Sequence, residues 1–350
     1  MDSFDASTST PPVSRALHRF ALVLAGLVVL LIAAGALVKS KEAGLSVPDW
    51  PLSYGSLNPP GWWHLDAVRA EHGHRLFAGT VALLTVVLAV WLSRAERRPG
   101  VRRLGGFAVA AVFAQALLGG LTVLLYLPPA VSISHAALAE LFLCLVTSIA
   151  VVTSPRYWGG TESPAEPVGP LRRMAFATTG LIYAQILLGA IVRHNGAGLA
   201  IPDFPLAFGR LVPAQFDLKI GLHYAHRVGA LLVLILLSWT VVRVFRHHAD
   251  LGALTRPALA MALLVVAQIS LGGAVVLTGR VVWVNTLHVA TGASLLACSL
   301  ILSLQAARLA RVARASESAA VPMVAGTAGA TGELRTAPRT DSLGTRQVTL

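Results

Sequence analysis

Charged side chains are scarce in this sequence. Asp, Glu, Lys and Arg make up 13% of the 350 residues, whereas hydrophobic residues make up 55%. A soluble chain of this length could not bury so much apolar surface, so the composition excludes a soluble protein and indicates a polytopic membrane protein. Lipid offers backbone N–H and C=O groups no hydrogen-bond partner, and the spans are therefore predicted to be helical.

Cysteine is nearly absent as well. The sequence has two, Cys144 and Cys298, and both fall within long apolar runs. They are predicted to pack as small hydrophobic side chains. Their placement excludes a disulfide pair in the loops and a metal site with the usual cysteine spacing.

Eight apolar runs are long enough to cross a bilayer, which takes roughly 20 residues. They lie near residues 18–38, 74–93, 105–127, 132–153, 174–193, 223–242, 257–279 and 284–306. The first run could pass for a signal anchor, but no small-residue cleavage site follows it, and we expect it to remain as the first helix. The predicted fold is all-α, with eight transmembrane helices.

The distribution of basic residues predicts the orientation. Most of the 28 Lys and Arg residues lie at the two ends of the chain and in the loops after the second, fourth and sixth spans. Basic segments stay on the cytoplasmic side, so both termini are predicted to be cytoplasmic in the cell membrane. The net charge of +12 favours contact with anionic lipid, and nucleic acid is not implied.

The two halves of the sequence repeat each other. Gly35–Lys39 with Ala43–Gly55 recurs as Gly189–Arg193 with Ala197–Gly209, and about half of these positions are identical. Four spans per repeat keep both copies in the same orientation, which predicts two tandem, pseudo-symmetric four-helix bundles.

The bundles are expected to lie between segments that cannot form a core because they are rich in small and polar residues. The predicted organisation is a disordered N-terminal tail (1–16), an N-terminal bundle (17–155), a cytoplasmic linker (156–172), a C-terminal bundle (173–307) and a disordered C-terminal tail (308–350).

Four histidines are related by the repeat: His74, His135, His226 and His288. Each begins an even-numbered span at its outer end, so all four are predicted at one membrane depth. Neutral imidazoles on facing helices of a bundle are a usual way to hold a haem iron. The pattern predicts two haem sites towards the outer face, one from each half, whereas zinc or di-iron would require carboxylates or thiolates that the second half lacks.

Basic residues lie close to these histidines. Arg75 and Arg227 directly follow two of them, and Lys39 and Arg193 end the preceding odd-numbered spans. We expect them to pair with haem propionates through charge-assisted hydrogen bonds. The alternative is that they extend to the membrane interface.

Spans three, five and seven share a glutamine followed four residues later by a glycine. The pairs are Gln115 with Gly119, Gln185 with Gly189, and Gln268 with Gly272. We interpret them as helix-packing positions, the glycine allowing close approach and the glutamine forming a hydrogen bond between helices. The alternative is that the glutamines bind a ligand directly.

The two halves differ at one informative position. Three residues before the histidine, the first half has Glu71 and the second has His223. A carboxylate beside a haem can act as acid, base or cation stabiliser, which assigns the chemistry to the first half and a resident redox haem to the second. The alternative for Glu71 is a carboxylate favoured by the helix dipole.

Glu140 in the fourth span is either a proton relay or a polar packing contact.

These features resemble the haem A synthases. The matching features are the eight spans in two repeats, Gly44–Pro51, the Glu71-x-x-His74-Arg75 segment, His135, His226-Arg227 and His288. The resemblance implies an enzyme that oxidises the C8 methyl group of haem O to a formyl group, giving haem A for cytochrome oxidase assembly. It further implies Glu71 as the catalytic carboxylate, His74 and His135 as ligands of the substrate haem O, and His226 and His288 as ligands of the iron of a haem b cofactor.

One branch of that family carries cysteines in the outer loops, and the corresponding loops 39–73 and 194–222 of this chain have none. The resemblance implies haem O synthase, oxidase assembly factors, an electron donor and further copies of the chain as possible partners. The alternative reading is a di-haem b-type electron carrier, which would use the same four histidines without altering either haem.

Overall fold

The computed structural model describes residues 14–159, 164 and 166–327, with side chains described as far as residue 315. Its helices are α1 (Arg15–Ser40), α2 (Asp66–Ala95), α3 (Pro99–Leu124), α4 (Pro129–Val152), the short α5 (Pro155–Gly159), α6 (Gly169–His194), α7 (Leu218–His247), α8 (Gly252–Leu277) and α9 (Val282–Thr327). Eight of them are long and apolar enough to cross a membrane, which confirms the predicted all-α fold and its eight spans.

Local sequence signals set the starts of several helices. The Ser14 hydroxyl accepts a hydrogen bond from the Leu17 N–H at 3.3 Å and caps α1, and the Asp217 carboxylate caps α7 through the Ile220 N–H at 2.7 Å. Helices α3 and α4 begin with proline, whose missing N–H is not needed in the first turn.

Helices α1 to α4, the first half, form a closed ring of neighbours, since α1 packs against α2, α2 against α3, α3 against α4 and α4 against α1. Helices α6 to α9, the second half, form a ring in the same order. The halves meet where α1 and α4 contact α9 and where α4 contacts α6. Each half has its own cluster of buried side chains, and treating the halves as separate domains stays a prediction.

Some predicted segment boundaries need correction. Helix α1 begins at Arg15, inside the segment 1–16, and α9 continues to Thr327, well inside the segment 308–350. The predicted linker 156–172 contains most of α5 and the start of α6. Apolar composition marks the membrane span but not the polar turns that continue a helix into water, so the sequence predicted α1, α6 and α9 too short. The remaining tail residues lie outside the described residues.

The α1–α2 loop (41–65) and the α6–α7 loop (195–217) share one conformation. Asp49 accepts hydrogen bonds from the N–H groups of Tyr54 and Gly55 at 2.7 and 2.8 Å. Asp203 does the same with Phe208 and Gly209, both at 2.8 Å. These N–H groups hold the pKa of both carboxyls below its ordinary value. The sequence repeat is therefore also a repeat of loop structure.

Candidate functional site

Each of the four histidines lies against a glycine of a neighbouring helix. A Cβ atom built on that glycine would stand 2.9 to 3.1 Å from the imidazole Cε1. The pairs are Gly35 with His74, Gly119 with His135, Gly189 with His226 and Gly272 with His288. The glycines thus make room for an imidazole, a role that the packing interpretation of the sequence had missed.

The glutamines one turn before these glycines touch the same histidines. The Gln115 side-chain amide donates to the His135 carbonyl at 2.9 Å, and that of Gln185 donates to the His226 carbonyl at 2.8 Å. The Gln268 Nε2 lies 3.4 Å from the His288 Nε2. Helix α1 has Leu31 at the equivalent position, so His74 has no such glutamine. The predicted interhelical hydrogen bonds exist, and they orient the histidines.

The histidines are paired across the interior of each half. His74 on α2 and His135 on α4 occupy opposite corners of the first ring and lie within electrostatic range of each other. His226 on α7 and His288 on α9 have the same relationship in the second ring. In each half, two imidazoles therefore approach one another across the helix bundle.

These imidazoles suit a haem. The Nδ1 atoms of His74, His135 and His288 are buried and lack a hydrogen-bond partner among the described residues. Burying a polar nitrogen without a partner costs free energy, which a ligand can offset. No group of three or more His, Cys, Asp or Glu converges in the described part of the chain, as zinc or di-iron would need. Two opposed imidazoles are instead a donor set for axial ligation of a haem iron.

Glu71 is buried, with 3% of its surface exposed. One carboxylate oxygen accepts hydrogen bonds from the Val47 N–H and the Ser46 hydroxyl, both at 2.9 Å, and the other accepts from Arg75 at 2.6 Å. The carboxylate therefore ties the α1–α2 loop to α2 one turn from His74. The sequence could not show this contact, because Ser46 and Val47 precede Glu71 by 25 and 24 residues.

Arg75 and Arg227 clamp the loops. The Arg75 guanidinium donates to the carbonyls of Val47, Asp49 and Leu52 at 2.6 to 2.9 Å. The Arg227 guanidinium donates to three carbonyls at 2.7 to 3.1 Å, those of Ile201, Asp203 and Leu206. Their terminal N–H groups bond to the loop backbone, and contact of either arginine with a haem propionate stays a prediction.

His72 and His223 also hold the loops. The His72 Nδ1 lies 2.8 Å from the Ser53 hydroxyl, and its ring packs edge-on against Trp62 with centroids 4.8 Å apart. The His223 Nδ1 accepts a hydrogen bond from the Ile201 N–H at 3.2 Å. Neither of these histidines belongs to the opposed pairs.

Aromatic residues complete the docking of the loops. A Cβ at Gly120 would lie 2.5 Å from the Trp50 indole, and one at Gly273 would lie 2.8 Å from the Phe204 ring. Each loop thus inserts a ring against a helical glycine next to the one that faces a histidine. In each half, one of two adjacent glycines contacts a histidine and the other contacts the aromatic ring of the loop.

Arg193 and Lys39 lie at the boundary between the halves. Arg193 donates to the Ala36 carbonyl at 2.7 Å and to the Ser40 hydroxyl at 2.8 Å, so it links α6 to α1. Arg193 is within electrostatic range of His288, and Lys39 is within range of His194. These two basic residues therefore stay candidates for contact with a haem carboxylate.

Fold and site together define a polytopic helical membrane protein in which each half holds two opposed, partly buried histidines beneath a clamped loop. The chain belongs to the COX15-CtaA family of cytochrome oxidase assembly proteins, whose family model matches residues 2–147 and 70–300.

Named relatives cover most of the chain. The heme A synthase of Symbiobacterium thermophilum is 32% identical over 247 residues, which are 68% of this chain and 79% of the relative. The heme A synthase of Halalkalibacterium halodurans is 30% identical over 274 residues, covering 75% of this chain and 87% of the relative. That of Shouchella clausii is 32% identical over 281 residues, covering 75% and 88%.

Proposed function

We propose that this protein is a haem A synthase that oxidises the C8 methyl group of haem O to a formyl group for cytochrome oxidase assembly. Its membership of an oxidase assembly family and its similarity to heme A synthases support this proposal. The observation that carries it is a carboxylate at only one of two otherwise repeated histidine sites: Glu71 precedes His74, whereas His223 precedes His226.

Haem O is assigned to the first half, between His74 and His135. The buried, partnerless Nδ1 atoms of these two histidines support this ligand pair. The α1–α2 loop, held by Glu71 and Arg75, would exclude water from the porphyrin edge.

Glu71 is proposed to stabilise positive charge on the substrate. Both of its oxygens already accept hydrogen bonds, from Ser46, Val47 and Arg75, so the carboxylate acts as a fixed negative group and not as a mobile proton carrier. A preorganised charge of this kind stabilises a transition state without reorganisation.

His226 and His288 would hold the iron of a haem b in the second half, and that group would supply one-electron redox chemistry when bound. The Gln185 amide, which contacts both the His226 Nδ1 and its carbonyl, holds that imidazole in place.

An electron donor, haem O synthase and further copies of the chain are proposed partners. The protein is proposed to lie in a lipid bilayer with both termini on the cytoplasmic side.

A di-haem electron carrier is the second candidate. It is favoured by one observation: Glu71 and His223, the residues that distinguish the halves, both hold a loop backbone N–H. On this view the difference between them carries no chemistry.

Extracted haem separates the two functions. The chain is expressed with a haem O synthase in a host that lacks haem A, and the haems are analysed by chromatography and mass. We expect haem A or its hydroxylated intermediate in the wild type, its loss in Glu71→Ala, and retention of haem b in that variant. Unchanged haem O in both, with His74→Ala and His226→Ala each removing one haem, would establish the carrier instead.

A further inference from the structure

Glu140 is a buried acid with no role in the chemistry proposed above. It lies within α4 with 3% of its surface exposed, and its Oε2 atom has no hydrogen-bond partner among the described residues. An acid in this setting is expensive to bury, so it suggests a function.

Glu140 faces the second half and not the first-half histidines. It follows His135 by five residues, which turns it roughly 140° around the helix from that ligand. Ala137, three residues earlier on the same face, accepts a hydrogen bond at 3.3 Å from the hydroxyl of Tyr183 on α6. Tyr183 lies within electrostatic range of Glu140 and of Cys144, and both Tyr183 and Cys144 pack against the second-half core.

One helix, α6, lies between Glu140 and the second histidine pair. Tyr183, which bonds to α4, and Gln185 are two residues apart and therefore lie on opposite sides of α6, and the Gln185 amide touches His226. Besides Tyr183 and Cys144, the described residues of α1, α3, α6 and α9 place no titratable group within electrostatic range of Glu140. The repeat-related residue in α9 is Ala293, which is fully buried. Glu140 thus has no acidic counterpart at the repeat-related position of α9, and it lies on the side of α4 that faces the second half.

We propose that Glu140 binds one proton when the haem held by His226 and His288 accepts one electron. The inference rests on the proposed haem site and adds a proton acceptor to it. An isolated carboxylate in a low-dielectric interior keeps its charge only while a positive charge is near. A ferric haem iron held by His226 and His288 would provide that charge, and one-electron reduction to ferrous iron would remove it. The electron comes from a one-electron reductant, the proton from water, and the carboxylate becomes a carboxylic acid, so the charge of the region is unchanged.

The test is a redox titration of the purified, haem-loaded full chain at several pH values, followed by the haem absorbance. Reduction-induced infrared difference spectra are recorded on the same samples. The variants are Glu140→Gln and Glu140→Asp. The control is Thr147→Val, which removes another buried side-chain oxygen of α4 without a partner but no titratable group.

We expect the wild-type midpoint potential to fall with rising pH, by up to about 59 mV per unit, which corresponds to a tenfold change in the equilibrium constant of a one-electron couple. The slope should vanish in Glu140→Gln, persist in Thr147→Val and be restored in Glu140→Asp. A carboxylic C=O band that forms on reduction and shifts in heavy water should be missing in Glu140→Gln alone.

The experiment distinguishes failure of the Glu140 proposal from failure of the proposed second-half haem site. A wild-type slope and an unchanged carboxyl band in Glu140→Gln would overturn the role of Glu140 while leaving the haem site intact. A wild type without bound haem, or haem that survives His226→Ala and His288→Ala unchanged, would overturn the proposed second-half site and this inference with it.

Discussion

Glu71 and His223 accept hydrogen bonds from repeat-related backbone amides, Glu71 from the Val47 N–H at 2.9 Å and His223 from the Ile201 N–H at 3.2 Å. The two side chains differ in charge but occupy the same place and hold the same loop position. Glu71 accepts two further hydrogen bonds, from Ser46 and Arg75. The halves therefore share a loop anchor, and only the first combines it with a fixed negative charge.

Glu71→Gln separates the anchor from the charge. The amide oxygen of glutamine can still accept the Val47 N–H, so the α1–α2 loop should remain docked and resist proteolysis. Loss of the charge should lower haem A formation by about 10²-fold or more, the usual effect of removing a group that acts in the transition state. Haem extraction measures the product, and limited proteolysis measures the loop.

His223→Gln is the matched control, because it changes the same loop anchor in the other half. Haem A formation within a few-fold of wild type is expected from it. Equal loss of product in Glu71→Gln and His223→Gln would show that loop anchoring alone explains both residues.

Gly189→Ala should weaken haem binding in the second half. The added Cβ would stand 2.9 Å from the His226 Cε1, so the imidazole must move. Overpacking of this kind costs about 1–3 kcal/mol, which corresponds to roughly 5- to 150-fold in affinity. The measurement is haem b bound per protein, from the absorbance of the purified variant.

Gly180→Ala serves as the control on the same helix, since a Cβ there meets nothing within 4 Å. Its haem content should equal that of the wild type. An unchanged haem content in Gly189→Ala would contradict the place assigned to His226 in the site.

Arg227→Lys should loosen the α6–α7 loop. A lysine ammonium cannot reproduce the planar fork that reaches the carbonyls of Ile201, Asp203 and Leu206. Hydrogen bonds from a charged donor contribute about 1.5–3 kcal/mol each, so amide hydrogen exchange in 195–217 should rise at least about tenfold. Arg210→Lys changes an exposed arginine of the same loop and should leave the exchange rate as it is. Equal exchange in both variants would exclude the clamp.

Acid should release both loops. The N–H groups of Gly209 and Phe208 hold the pKa of Asp203 below its ordinary 3.8. The Gly55 N–H is the largest cause of the lowered pKa of Asp49. A carboxyl with a lowered pKa contributes stability that is fully present above its ordinary pKa and is lost as the pH falls through the lowered value. Loop exchange, corrected for the intrinsic rate, should therefore show an increase as the pH falls below about 3.8. Asp203→Asn should remove this acid response from 195–217 but not from 41–65. An increase that begins near pH 6 would point to histidine instead.

Much of this protein is determined by the sequence alone. The eight spans, the repeat and the four histidines follow from apolar run length and from residue identity at matching positions, which depend on nothing distant in the chain. The family resemblance rests on the same local motifs, and membership of the oxidase assembly family confirms it. The extent of α9 escaped prediction, because its polar continuation lacks the apolar signal.

Only the tertiary structure decided what the polar residues of the site contact. Arg75 and Arg227 lie beside histidines in the sequence, yet their guanidinium groups bond to loop carbonyls more than twenty residues earlier in the chain. Glu71 likewise finds its partners in that loop, and the Tyr183 hydroxyl on α6 bonds to the Ala137 carbonyl on α4. Such contacts depend on how the loops fold back and how the helices pack. Because these groups are buried, losing one of their hydrogen bonds costs more than it would at the surface. Neither the contacts nor the burial can be predicted from neighbouring residues in the sequence.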